Sequence, residues 1–98
     1  MTSYTFSQRA AAALDEIYAY TLARYGAVQA ERYADQLNQC FMHLAEQRVR
    51  GKKYITSDGI TYHRYLCQRH YIFYYHQDAD GLYIEHIIHQ VRNFDEHL

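Results

Sequence analysis

The sequence predicts an α+β domain of β-α-α-β-β-β order, a helical hairpin packed on a small antiparallel sheet. Three observations carry that expectation. Residues 62–66, 71–75 and 82–89 read YHRYL, YIFYY and LYIEHIIH, and such β-branched and aromatic runs suit a pleated surface. The links between them are short, and the second ends in Asp78-Ala79-Asp80-Gly81, residues that tolerate the backbone angles of a tight reversal. Upstream, two stretches repeat apolar residues at helical spacing, with a glycine between them.

Taken in order, residues 2–6 alternate, with Tyr4 and Phe6 on one side, and read as a short first strand. Ser7 is a good helix N-cap, because its hydroxyl can accept from an unpaired amide of the first turn. Leu14, Ile17, Tyr18, Thr21, Leu22 and Tyr25 then form one stripe. Gly26 ends that helix, as glycine accepts a left-handed cap. Ala30, Tyr33, Ala34, Leu37, Cys40, Phe41 and Leu44 form the stripe of a second helix running to about Gln47. Helices joined so tightly run antiparallel. Neither stripe buries fully on its partner, so the remaining apolar surface belongs on the sheet. Residues 48–59 read as a long connection, with Tyr54 and Ile55 as anchors and Ser57-Asp58-Gly59 as a turn. After the meander, Val91, Phe94 and Leu98 are candidate anchors for the return of the chain.

Size bounds the rest. The 98 residues, without proline and with four glycines, make a single domain spanning 1–98. No apolar run reaches the roughly 18–20 residues of a membrane span, and the start lacks a signal pattern. The expected location is cytoplasmic, with no membrane partner, and Cys40 and Cys67 are expected as two reduced thiols. Net charge is −1, but it is unevenly spread. Arg48, Arg50, Lys52, Lys53, Arg64 and Arg69 face only Asp58 in the middle third, while both flanks are acidic. Such a segment suits an anionic partner, or is simply a solvated basic loop.

The search for chemistry returns little. Seven histidines invite a metal, yet there is no CxxC or HExxH, and His86 and His89 lie three apart on a strand, pointing to opposite faces. No metal, cofactor or catalytic residue is assigned. Cys67 sits near His63 and His70 without the setting of an activated thiol. One constellation remains: Arg64, Tyr74, His89 and Arg92. A ribonuclease could use it, the guanidinium holding phosphate while His or Tyr moves protons. The plainer reading makes Arg64 a cross-strand partner and His89 a terminal packing residue, and the sequence favours it.

The ordered segments YTFSQRA, IYAYTLARYGAVQAERYADQL, GITYHRYL, YIFYYH and IIHQVRNFDEHL resemble the ParE branch of the RelE/ParE toxin superfamily, from Tyr4 to Leu98. The chain departs from that pattern at Gln47–Lys52, where such proteins often carry proline and a Gly-Arg pair. It departs again at Val91-Arg92-Asn93, where Arg-Met-Asp is common. The resemblance implies a RelE/ParE-like fold and a toxin of a type II toxin–antitoxin pair that inhibits DNA gyrase and blocks replication. It implies neutralisation by a ParD-like antitoxin whose disordered part folds along the toxin, and operator DNA reached only through that antitoxin. Candidate target- or partner-binding residues are then Arg64, Tyr74, His89, Arg92 and Phe94, with Arg48, Arg50, Lys52 and Lys53 as a basic loop. The alternatives are a RelE-type, ribosome-dependent mRNA endoribonuclease and a degenerate member that only binds its antitoxin. Arg64 and His89 converging on a deep, cation-lined pocket would favour the endoribonuclease over the binder.

Overall fold

The computed structural model describes residues 3–77 and 81–91, ordered as β1 (Ser3–Phe6), α1 (Gln8–Tyr25), α2 (Ala27–Ala45), β2 (Lys52–Ile55), β3 (Thr61–Cys67), β4 (His70–His76) and β5 (Gly81–His89). The expected order holds, with one strand added. The basic connection is not all loop: its residues Lys52–Ile55 pair antiparallel with β3 as an edge strand. Its alternation is masked by two lysines, which is why it reads as a loop. The sheet runs β1-β5-β4-β3-β2, so the meander is flanked by two short edges. Strand β1 pairs with β5 in parallel, making the sheet mixed where an antiparallel one was expected. Residue Thr2, the turn residues 78–80, and Arg92, Phe94 and Leu98 lie outside the described residues.

Both helix caps follow from local chemistry. The Ser7 hydroxyl oxygen accepts from the Ala10 N–H at 3.0 Å, and Ser7 donates to Ile84 and Glu85 carbonyls of β5. This one residue therefore caps α1 and pins it to the sheet. Gly26 adopts φ 92°, a conformation open to glycine, and its N–H reaches the Leu22 carbonyl. The next residue already starts α2, giving the predicted hairpin.

Both helices cover one face of the sheet. The core there joins Ala10 of α1, Leu37, Phe41 and Leu44 of α2, and Ile72, Tyr74, Leu82, Ile84 and Ile87 of the strands. Tyr4 and Phe6 ring contacts at 5.7 and 5.2 Å hold β1 against Phe41. The stripe of α1 is narrower than expected, because Leu14 and Ile17 pack inward while Leu22 and Tyr25 are exposed. A register shift at Phe73/Tyr74 leaves Glu85 unpaired in the ladder, so β5 switches the face of alternate residues beyond it. The opposite face is an aromatic layer in which Tyr62, Phe73 and Ile88 pack with Tyr54 and Tyr71.

The cysteines correct the expectation of two free thiols. Cys40 on the inner side of α2 and Cys67 at the inner end of β3 form a disulfide, their Cα atoms 6.3 Å apart. The pairing depends on where α2 crosses the sheet, a register that no local pattern encodes.

Candidate functional site

Among the described residues, three surfaces carry side chains able to meet a partner. The first is a cleft of about 250 Å³ between the two helices, lined mainly by Leu14, Ile17, Tyr18, Tyr33, Leu37 and Phe41. Small residues of α2 in its lining, Ala30 and Ala34, leave room there for a partner's side chains. Its rim is polar: the Tyr18 hydroxyl donates to Glu31 at 3.0 Å, an interaction that raises the Tyr18 pKa. Beyond it, Tyr20, Tyr25, Val28 and Met42 are exposed on the hairpin. Such a surface accepts apolar side chains from another chain.

The second surface is the face of the sheet opposite the helices. Arg64 lies on β3 between two aromatic rings, its guanidinium carbon 5.5 Å from the Tyr54 centroid and 5.2 Å from that of Tyr71. Lys52 of the edge strand is its cross-strand partner. His86 shares this face, buried with its ring 5.6 Å from Tyr62. The basic loop adjoins it: Arg48, Arg50, Lys52 and Lys53 are all exposed, and Arg48 meets Glu46 at 3.0 Å.

The third is a cluster at the far end of the helix-facing side. His70 and His89 are direct cross-strand partners, with ring centroids 5.1 Å apart. The Tyr33 hydroxyl of α2 lies 2.7 Å from His70 Nδ1 and accepts from the Arg69 N–H at 3.4 Å. Burial, with His89 close by, pushes the His70 pKa down to about 4, so its imidazole is neutral near neutral pH. Burial also raises the Tyr33 pKa. His89 Nδ1 accepts from the Val91 N–H.

Arg64, Tyr74 and His89 do not converge. In the ladder Arg64 pairs with Phe73 and Phe73 with His86, whereas His89 pairs with His70 three rows away. Strand alternation puts Arg64 on the aromatic face and His89 on the helix side. Tyr74 is 3% exposed, and its hydroxyl accepts from the Gly51 N–H at 2.7 Å, so it holds the basic loop instead of presenting a surface. Burial pushes its pKa up. Arg92 and Phe94 lie outside the described residues. Sequence reasoning missed Tyr33 and Gly51: their partners are distant in sequence, and a tyrosine on an apolar stripe gives no local signal. Among the described residues no group of three His, Cys, Asp or Glu side chains is placed to hold a metal. No helix there is long and apolar enough to cross a membrane.

Residues 4–94 match the family described as ParE toxin of type II toxin-antitoxin system, parDE. No curated protein matches the chain. A chain of the solved structure titled "Chromosomal ParDE TA system from P. aeruginosa" superposes with a TM-score of 0.69 at 17% identity, covering 91% of this chain and 96% of that one. At that identity the likeness establishes the fold.

Proposed function

Because the chain belongs to the ParE toxin family of type II toxin–antitoxin systems, we propose that it inhibits DNA gyrase, blocks replication in the cytoplasm, and is neutralised by a ParD-like antitoxin. It acts by binding and not by turnover. The observation that supports this is the separation of Arg64 from His89 onto opposite faces of the sheet. Proton transfer to a phosphodiester needs a cation and a proton carrier around one reacting atom. A binder has no such requirement.

The antitoxin segment fits the cleft between α1 and α2, where an amphipathic partner lays apolar anchors against Leu14, Ile17 and Phe41. The gyrase-directed side is then the basic loop and the Arg64 face, with Arg92 and Phe94 as further candidates. Operator DNA is met only through the antitoxin. Purified protein titrated into a supercoiling reaction should abolish supercoiling or leave gyrase-linked breaks. Gyrase that works normally at every dose rejects the proposal.

One observation favours the ribonuclease alternative: Arg64 and Lys52 sit among Tyr54 and Tyr71, a cationic and aromatic face of the sort that holds single-stranded RNA. Cleavage of mRNA in a translation extract, lost in Arg64→Ala, would replace gyrase inhibition as the activity.

A further inference from the structure

The middle of α2 is tied to the β3–β4 turn twice, by independent chemistry. One tie is covalent, Cys40 to Cys67. The other is the Tyr33 hydroxyl, which meets His70 Nδ1 and the Arg69 N–H. Tyr33, Gln36 and Cys40 lie on one side of α2, while Cys67 and His70 are cross-strand partners at the turn. The two ties differ in one respect: only the first responds to redox conditions.

Three features bear on how the covalent tie could open and close. Cys67 is fully enclosed, whereas Cys40 is partly exposed, so an oxidant or reductant in solution reaches the pair from the Cys40 side. The Gln36 carbonyl oxygen lies 3.9 Å from Cys67 Sγ, an acceptor already in place for the thiol S–H after reduction. Tyr33 keeps the layers together while the bond is open. In a reducing compartment, disulfides that do form are most often redox-sensing or catalytic.

We propose that Cys40 and Cys67 are a reversible thiol–disulfide switch, oxidised by a low-molecular-weight disulfide, that sets how firmly α2 is held to the sheet and so the shape of the α1–α2 cleft. In the forward direction the Cys40 thiolate attacks one sulfur of the oxidant, forming a mixed disulfide and releasing one thiol. Cys67, losing its proton to solvent, attacks Cys40 Sγ and expels the second thiol. Two electrons pass from the protein pair to the oxidant, one protein S–S bond forms, and one oxidant S–S bond is lost. Reduction runs the same steps backwards. Tyr33, Leu37 and Phe41 line the cleft on the helix that carries Cys40, so the bond fixes one wall of the cleft. Its importance for antitoxin docking and the reducing compartment invoked above rest on the proposed function; the geometry of the two ties and the exchange chemistry do not.

The test uses the purified full chain equilibrated in a series of reduced and oxidised glutathione mixtures, acid-quenched and labelled with a maleimide mass tag. Expected is one transition between two labelled thiols and none. Cys67→Ser should acquire one glutathione at Cys40, while Cys40→Ser, with only its enclosed thiol, should acquire none. Hydrogen exchange across residues 27–45 should be about tenfold faster in the reduced chain. Cys40→Ser/Cys67→Ser should exchange like the reduced chain in every mixture. Tyr33→Phe should accelerate exchange further, mainly in the reduced form. Failure to form the protein disulfide in any mixture, or equal exchange in the two states, overturns the switch. A working switch in a protein that leaves gyrase untouched in both forms would sink the proposed function alone.

Discussion

The backbone N–H of Gly51 donates to the Tyr74 hydroxyl at 2.7 Å, and this bond seats the basic loop on the sheet. The contact is close enough that a Cβ at Gly51 would overlap the carbonyl oxygen of Arg64. Gly51→Ala should therefore destabilise the domain by about 1–3 kcal/mol, as inserted atoms do in a packed site. Tyr74→Phe keeps the ring and orphans the amide, at about 1–2 kcal/mol. Urea unfolding of both variants is the check, and unchanged midpoints would mean the loop is not held this way.

His70 sets a pH dependence. Its folded pKa, about 4, lies below the ordinary 6.5, so between these values the unfolded chain binds a proton that the folded chain does not. Stability should therefore be complete above about pH 6.5, fall as pH drops toward 4, and flatten beneath it. The partly exposed site softens the effect. His70→Gln should flatten the slope of the urea midpoint between pH 6.5 and 4. A variant with the same slope as the parent would assign the acid sensitivity elsewhere.

The Cys40–Cys67 bond closes a sequence separation of 27 residues. Chain-entropy arguments place the loss on removing such a loop at about 3.5 kcal/mol. Thermal melts of Cys40→Ser against the oxidised parent should show a drop in Tm of many degrees, and a melt of the reduced parent should fall close to the variant.

Arg64 stacks on Tyr54 and Tyr71 at the face proposed above to meet the target. Arg64→Ala should raise the dose for half-maximal gyrase inhibition by about tenfold, the effect of losing one contact of about 1.4 kcal/mol. Arg64→Lys should recover only part, since ammonium does not stack as guanidinium does. Circular dichroism should show both variants folded. An unchanged dose would move the target surface away from β3.

Much of the fold was legible because it is written in short-range pattern. Ser7 and Gly26 mark helix ends by side-chain and backbone chemistry that acts within a turn. The meander shows in the alternation of Tyr62, Tyr71 and Phe73 against Ile72 and Tyr74. What escaped notice depends on register between distant elements. Strand β2 hides behind lysines that an edge tolerates on both faces. Cys40 meets Cys67, and Tyr33 meets His70, only once the crossing point of α2 over the sheet is set. The site suffered most from this: Arg64 and His89 are both on the meander, but they stand three ladder rows apart, an odd number, and strand alternation therefore puts them on opposite faces.

Ser3 lies beside Gly81, and Ser7 is bonded to Glu85 across 78 positions of sequence. During synthesis, then, β1 must wait for β5 to leave the ribosome, and until that moment its backbone lacks a mate. A product cut short before β5 has no finished sheet and no anchored α1. The layout so delays completion: no nascent chain that stops short of β5 carries the surface formed by the finished sheet.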